Sequence, residues 1–243
     1  MIWSKTVKIA GVDEAVIKEN IKGLSQGENP VIIVSSDPGE VYITIEGTGE
    51  DESEAKKLVK PLVKELKSRY GAMIYSTGEA TLEETVVDLL EKNSLTISTA
   101  ESCTGGLLSG RIINVPGASE IIKVGFVTYS NKAKRKYLGV KKSTLDKYGA
   151  VSEQCAREMV KGLTAQTKAD VGLSTTGIAG PDGGTEDKPV GLVYIGCNVC
   201  GSVKVMECHF SGTRSEIRQR TVAEALNLLR MCILEFFTET KLK

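Results

Sequence analysis

The sequence predicts an α/β protein: a three-layer α/β/α sandwich on a mixed sheet, preceded by a small α+β domain. Three observations lead there. From about residue 81 onward, strand-like runs alternate with amphipathic helical runs, the pattern of a sheet covered on both faces. Two of those runs, Leu95–Thr99 and Val171–Thr175, lead into glycine-rich loops, as strands do when their carboxyl ends form a binding crevice. A further pair, Val190–Cys197 and Val203–His209, is joined by the turn Asn198-Val199-Cys200-Gly201 as a hairpin, which makes the sheet mixed.

Taken in order, residues 1–75 form the small domain. Thr6–Ile9 reads as a short strand and Asp13–Lys22 as a helix whose end is marked by Gly23. Val31–Ser35 and Val41–Glu46 are strands joined at Asp37-Pro38-Gly39, a strong turn signal. Glu52–Tyr70 is helical because Ala55, Leu58, Val59, Leu62, Val63 and Leu66 recur at i, i+3, i+4, i+7 spacing. Ala72–Tyr75 is the closing strand. This β-α-β-β-α order resembles KH-type RNA-binding modules, yet residues 1–75 hold no G-x-x-G loop and are slightly acidic. An interaction or spacer role is expected in place of RNA binding.

Residues 76–80 are the expected linker and 81–243 the main domain. Thr81-Leu82-Glu83-Glu84 is a capping box opening a helix with Leu82, Val86, Leu89 and Leu90 on one face. The organising stretch follows. Its first strand breaks at Glu101-Ser102-Cys103-Thr104-Gly105-Gly106, Leu107–Ile113 is helical, and Pro116-Gly117-Ala118-Ser119 is a turn. Val124–Tyr129 is a second strand, followed by Ser130-Asn131-Lys132-Ala133-Lys134. Ser152–Thr167 is an amphipathic helix capped by Ser152. The Val171–Thr175 strand enters Thr176-Gly177-Ile178-Ala179-Gly180-Pro181-Asp182-Gly183-Gly184. After the hairpin, the capping box Thr213-Arg214-Ser215-Glu216 opens a long helix to about Phe237.

Charge and composition exclude several function classes. With 31 basic and 31 acidic residues, the chain has no electrostatic case for binding nucleic acid or an anionic membrane. No apolar run approaches the length of a membrane span, and Met1-Ile2-Trp3-Ser4-Lys5 is unlike a signal peptide, so a cytoplasmic protein is expected. Its six cysteines then read as free thiols. Cys197, Cys200, Cys208 and His209 have the look of a zinc set, but adjacent residues of a strand face opposite ways, so Cys208 and His209 cannot easily share an ion. No metal site is expected. His209 is also the only histidine, and it sits near the end of a hairpin strand. A serine nucleophile here needs lysine or tyrosine as its base.

The glycine-rich loops narrow the chemistry further. Thr104-Gly105-Gly106 opens a helix and aims N–H groups at one spot. It lacks both the Walker A pattern and G-x-G-x-x-G, which argues against NTP hydrolysis and dinucleotide binding. Around the loop, the sequence places Ser102, Thr104, Ser119, Tyr129 and Lys134. From the residues alone, the reading is a serine or threonine nucleophile activated by lysine or tyrosine.

Four motifs in order add a resemblance: Thr99-Ala100-Glu101-Ser102-Cys103-Thr104-Gly105-Gly106, Gly125-Phe126-Val127-Thr128-Tyr129-Ser130-Asn131, Gly149-Ala150-Val151-Ser152 and Gly177 to Gly184. Together they resemble the C-terminal domain of the competence/damage-inducible CinA family, a nicotinamide mononucleotide deamidase, over roughly residues 80–237. Residues 1–75, including Glu28-Asn29-Pro30 and Gly39-Glu40-Val41, resemble that family's KH-like middle domain. The family's N-terminal domain, similar to molybdopterin-binding proteins and linked to ADP-ribose pyrophosphatase activity, has no counterpart in these residues, so that activity is not carried over. The resemblance implies hydrolysis of nicotinamide mononucleotide to nicotinate mononucleotide and ammonia, as in pyridine nucleotide salvage, with no metal or organic cofactor. It places the catalytic serine on Ser119, the tyrosine on Tyr129 and the lysine on Lys134. Candidate substrate-binding residues are Ser102, Thr104, Gly105 and Gly106 in the first loop and Thr176, Gly177, Ile178, Ala179 and Gly180 in the second. Arg214 and Arg218 are the candidates for the phosphate. A homo-oligomer, in its simplest form a dimer joined through the long terminal helix, is expected. The alternative is a non-catalytic pyridine-nucleotide binding or competence-associated interaction module.

Overall fold

The computed structural model describes residues 1–24 and 27–241. The chain divides into two compact units, Met1–Thr85 and Val86–Lys243. In order, its elements begin with β1 (Ile2–Ala10), α1 (Glu14–Asn20), β2 (Val31–Asp37), β3 (Glu40–Thr48), α2 (Glu52–Tyr70) and β4 (Ile74–Ser76). They continue with α3 (Leu82–Lys92), β5 (Ile97–Glu101), α4 (Leu107–Ile113), β6 (Ile122–Val127), α5 (Asn131–Leu138) and α6 (Lys142–Tyr148). The last are α7 (Glu153–Thr167), β7 (Val171–Gly177), β8 (Leu192–Val199), β9 (Ser202–His209) and α8 (Arg214–Lys241).

The first unit is a four-stranded antiparallel sheet in the order β2-β3-β1-β4. Alternation along β1 and β3 sends Val7, Ile9, Val41, Ile43 and Ile45 into one core with Ile17 of α1 and Val59 and Leu66 of α2. Gly47 and Gly49 are where α2 meets the sheet. A Cβ on Gly47 would stand 2.8 Å from the Ala55 carbonyl oxygen, so only glycine lets the helix lie this close.

The second unit is built on a five-stranded sheet in the order β6-β5-β7-β8-β9. β6, β5 and β7 are parallel, and the β8–β9 hairpin adds two antiparallel strands. Helices cover both faces, as side-chain alternation along β8 shows. Gly196 faces α7, where a Cβ would meet the Ala156 carbonyl at 2.8 Å. Its neighbour Cys197 points to the opposite face, the side on which α8 packs against β8. β8 runs two residues past its expected end, through Val199. Cys200 (φ 48°) and Gly201 (φ 94°) then make a two-residue turn with both backbones in the left-handed region, the geometry that suits the twist of a hairpin. β5 is shifted to Ile97–Glu101, because pairing on both sides with β6 and β7 holds it in the sheet as far as Glu101. The expected helix-capping residues are in place: Ser152 Oγ accepts from Cys155 N, and Thr213 Oγ1 accepts from Glu216 N while Glu216 Oε2 accepts from Thr213 N. α6 had no clear signal in the sequence, since so short a helix buries only Thr144 and Leu145.

Connectivity creates a crevice. The chain leaves β5 through α4 to β6 on one side, then crosses back through α5, α6 and α7 to β7 on the other. α7 packs on the face of Ala100, and Ser109 of α4 hydrogen-bonds Thr99, whose side chain lies on the opposite face. The helices that follow β5 and β6 therefore lie on opposite faces, while the loops leading into them start side by side at the carboxyl ends of those strands and frame a cleft there.

One close approach fixes the helix beside that cleft. Gly162 of α7 lies so near the end of α5 that a Cβ would sit 1.7 Å from the Leu138 carbonyl oxygen, a backbone atom that cannot swing away. Gly162→Ala is expected to destabilise the second unit by about 2–3 kcal/mol through overpacking. A drop in Tm of roughly 5–10 °C in thermal unfolding would check this.

Candidate active site

The cleft is framed by the loop after β5 and by the segment from the end of β6 into α5. Glu101, at the last position of β5, is fully buried, and its carboxylate caps α4. Oε2 accepts from Gly106 N (2.9 Å) and Leu108 N (3.0 Å), and Oε1 from Ser109 N (2.8 Å) and Ser109 Oγ (2.6 Å). Four hydrogen bonds to one charged group at a helix N-terminus hold the 102–106 turn rigidly. Sequence reasoning passed over Glu101, although an acidic residue a few positions ahead of an apolar helical run was a readable capping signal.

Ser102 follows directly. Its N–H donates to Thr175 O (3.0 Å), which ties the turn to β7, and its side chain is buried apart from a small opening. Lys134 is the decisive residue. It is carried by α5, which Ser130 caps by accepting from Ala133 N (3.1 Å). Its neighbours Lys132, Arg135 and Lys136 are exposed, but Lys134 itself is 1% exposed and points inward. Its Nζ donates to Ser102 Oγ at 2.8 Å, to Thr128 O at 2.9 Å and, at the limit of a hydrogen bond, to Tyr129 O at 3.4 Å. Burial holds the ammonium below its ordinary value of 10.5, and among the described residues no carboxylate pairs with it. A lysine inclined toward the neutral form, in contact with a serine hydroxyl, is a base beside a nucleophile.

Cys103, next in the turn, is a less suitable nucleophile, because burial raises its thiol to about 11. Thr128 Oγ1 is buried beside the lysine without a hydrogen-bond partner, which leaves a polar atom unsatisfied at the base of the site. The remaining expected residues divide by role. Thr104 Oγ1 and Thr175 Oγ1 share a buried hydrogen bond of 2.7 Å, and Thr176 Oγ1 donates to Ala150 O at 2.8 Å, so both threonines brace loops. Gly105 is exposed and Gly106 partly so, both in the left-handed region (φ 59° and 98°) that this turn requires. In the second loop, Gly177 ends β7, Ile178 pairs with β8 through its N–H to Leu192 O (2.9 Å), and Ala179 and Gly180 are buried. Arg218 donates from Nε to Cys103 O (3.0 Å) and from Nη2 to Thr104 O (2.8 Å), so it props the first loop. Arg214 bridges Gly180 O (2.7 Å) and Tyr129 OH (3.4 Å), with Tyr129 itself 64% exposed.

The structure thus brings Ser102, Tyr129, Lys134 and Arg214 to one cleft, and it does not bring Ser119 there. Ser119 lies exposed in a short 3-10 turn, Ala118–Glu120, just before β6 begins. Tyr129 and Lys134 come after β6 ends. The parallel register pairs Ile122 with Ile97 at one end of the sheet and Val127 with Glu101 at the other. Six strand residues at about 3.3 Å each separate the two by roughly 20 Å. Spacing in the sequence cannot reveal this, because a residue ten positions away lies far off across a strand and close by across a turn.

The cysteines and histidine that have the look of a zinc set lie apart. Cys197 faces α8, Cys200 is exposed at the hairpin turn, and His209 Nε2 meets Glu207 Oε1 at 2.8 Å. Among the described residues, no three histidine, cysteine, aspartate or glutamate side chains group as a metal site. Among those residues, too, no helix is long and apolar enough to cross a membrane.

Comparison with known proteins agrees with this architecture. Residues 79–233 match the CinA C-terminal domain and residues 4–76 the KH domain of damage-inducible protein CinA. A putative competence-damage inducible protein of Clostridium novyi is 48% identical over 231 residues, covering 95% of this chain and 56% of that protein. A CinA-like protein of Dictyoglomus thermophilum is 45% identical, covering 96% and 57%. The chain spans a little over half the length of these curated relatives. Among solved structures, competence/damage inducible protein CihA from Agrobacterium tumefaciens superposes with a TM-score of 0.61 at 42% identity, covering 63% of this chain and 93% of that one. A CinA superfamily protein from Klebsiella pneumoniae gives 0.62 at 32% identity, covering 63% and 96%. With both of its segments matched in order, and with the second unit built around the 99–106 and 125–134 motifs, the chain belongs to the CinA family.

Proposed function

We propose that the second unit hydrolyses the carboxamide of nicotinamide mononucleotide, giving nicotinate mononucleotide and ammonia, with Ser102 as nucleophile and Lys134 as base. The observation that carries this reading is the 2.8 Å contact between buried Lys134 Nζ and Ser102 Oγ. The substrate follows from the resemblance of the four ordered motifs to the family's deamidase domain. In the first step, Ser102 Oγ attacks the carboxamide carbon and its proton passes to neutral Lys134. The exposed Gly105 N–H, on a turn held by Glu101 and with Arg218 Nη2 close to it, is the donor proposed for the oxyanion. As the tetrahedral adduct collapses, Lys134 returns the proton to the departing nitrogen and ammonia leaves. Water then attacks the acyl-serine and gives its proton to Lys134, which passes it to Ser102 Oγ as the acyl C–O bond breaks, releasing nicotinate mononucleotide and restoring both residues.

Arg214 is the favoured phosphate ligand. It is exposed, and while Nη1 rests on Gly180 O, the Nη2 bond to Tyr129 OH is long and can be exchanged for an anion, whereas Arg218 is less exposed and holds the loop through two short bonds. Arg214→Ala is expected to raise KM for the mononucleotide by about tenfold, the scale of one charge-assisted contact, with a much smaller effect on the riboside. Steady-state kinetics on the two substrates would check it. The reading as a whole is tested by ammonia release from nicotinamide mononucleotide. Turnover supports it. Binding of the nucleotide without ammonia release would replace it with a non-catalytic binding module.

A further inference from the structure

The second glycine-rich loop is tied down at both ends of its exposed stretch, by Arg214 at one and by Lys188 at the other. It leaves β7 at Gly177 and rejoins the sheet at Leu192. Residues 181–187 are exposed, whereas Gly180 is buried and Lys188 partly so. Gly180 takes a φ of 77°, and a Cβ there would stand 2.7 Å from Val190 Cγ1. The turn that presents Gly180 O to Arg214 Nη1 (2.7 Å) therefore needs glycine. At the far end, Thr185 N donates to Lys188 O (2.8 Å) and Lys188 N to Thr185 Oγ1 (3.1 Å), which fixes the lysine backbone. Its Nζ donates to Tyr148 O (2.6 Å) and Val151 O (2.8 Å), at the junction of α6 and α7. Gly149 leaves room for this approach, since a Cβ would sit 3.2 Å from the ammonium. We infer that Lys188 is a positioning residue of the phosphate subsite, acting through the loop on Gly180 O and Arg214.

This inference rests on the reading of Arg214 as the phosphate ligand. An arginine recognises an anion through the fixed plane of its guanidinium, so whatever orients that plane sets the affinity along with the charge. Gly180 O orients it from one side, and Tyr129 OH holds the other only at 3.4 Å. The base of the loop is closed by Ile178 N to Leu192 O (2.9 Å) and Gly191 N to Ile178 O (2.8 Å), but that pairing stops two residues short of Gly180. Glycines at 180, 183 and 184 give the segment beyond it little stiffness of its own. The place of Gly180 O then depends on what holds the other end. The turn that Lys188 grips is itself braced. Thr176 Oγ1 donates to Ala150 O (2.8 Å), and Ser152 Oγ donates to Gly149 O (2.9 Å) while capping α7. Lys188 extends that brace to the loop with two bonds from a charged donor, which are stronger than neutral ones.

The test is a double-mutant cycle of Lys188→Met and Arg214→Ala in the full chain. KM and kcat are measured for ammonia release from nicotinamide mononucleotide and from its riboside. Lys188→Met is expected to raise KM for the mononucleotide by about five- to tenfold, with kcat and the riboside kinetics within about twofold of the wild type. Once Arg214 is alanine, Lys188→Met should add almost nothing, because both substitutions remove the same contact. Lys188→Arg, which keeps N–H donors for both carbonyls, should recover most of the loss. A lysine that only stabilised the fold would instead affect both substrates alike. The inference is overturned if the two substitutions are additive, if mononucleotide and riboside suffer equally, or if Lys188→Met changes neither. Should the wild type release no ammonia, the amidase reading falls separately, and the same cycle is read on the Kd of nicotinamide mononucleotide by calorimetry. There, non-additive losses uphold the inference, and additive losses or an absence of binding overturn it. If Lys188→Met does not fold, Lys188→Gln takes its place in the cycle with the same expected outcomes.

Discussion

Ser102→Ala is expected to lower kcat for ammonia release by about three decades or more, while Ser119→Ala stays within a few-fold of the wild type. The first effect is large because the hydroxyl is the nucleophile itself. Its loss leaves only the oxyanion donor and substrate binding to accelerate attack by water. The second is small because Ser119 lies at the far end of β6, exposed on its own turn. KM should change little in either variant, since Oγ gains its main interaction only as the carbon becomes tetrahedral. Rapid-mix mass spectrometry adds an independent readout: an acyl adduct should map to the peptide carrying Ser102. Full activity in Ser102→Ala would remove Ser102 as the nucleophile and leave the amidase reading to be supported by another hydroxyl.

Lys134→Met should be as severe for turnover and yet leave the fold intact. Methionine keeps the length and packing of the side chain and removes the base. Methionine relieves the desolvation of a lysine buried at 1% exposure, which offsets the loss of its bonds to Ser102 Oγ and Thr128 O, so Tm is expected to change little. The pH dependence follows the same group. The folded-state pKa of Lys134 lies below the ordinary 10.5. Only the neutral amine accepts the serine proton, so kcat/KM should rise with pH through that depressed pKa and level off above it. Stability moves in the same direction. Between the depressed folded pKa and the unfolded value, the unfolded chain binds the extra proton, so stability increases with pH across that window and is flat below it. Lys134→Met should erase this contribution. Urea unfolding of both proteins across the alkaline range would check it. A slope that survives in the variant would show that another group is responsible.

Much of this was legible in the residues. Alternating strand and helix patterns gave the layered α/β unit, because the two periodicities differ and each needs its own buried face. The capping boxes at Thr81 and Thr213 and the cap at Ser152 were readable, because a hydroxyl followed by glutamate or by free N–H groups acts within one helical turn. The place of the one histidine on a hairpin strand pointed to lysine or tyrosine as the base, and Lys134 and Tyr129 were both candidates. Local chemistry acts over a few residues, so it survives in a linear reading.

What the sequence could not decide was which hydroxyl the lysine meets. Lys134 sits in a run with Lys132, Arg135 and Lys136, and nothing in that run marks it as the one that points inward. Its burial comes from α5 docking on α7, where Gly162 admits the Leu138 carbonyl. Ser102 and Lys134 are 32 positions apart and meet because parallel β5 and β6 place their following loops side by side. Ser119 is 15 positions from Lys134 and is kept away by the length of β6. The residue types, the elements and the caps were written locally in the chain. The partners in the reacting pair were set by strand order and register, which depend on contacts between distant segments and exist only once the sheet has formed.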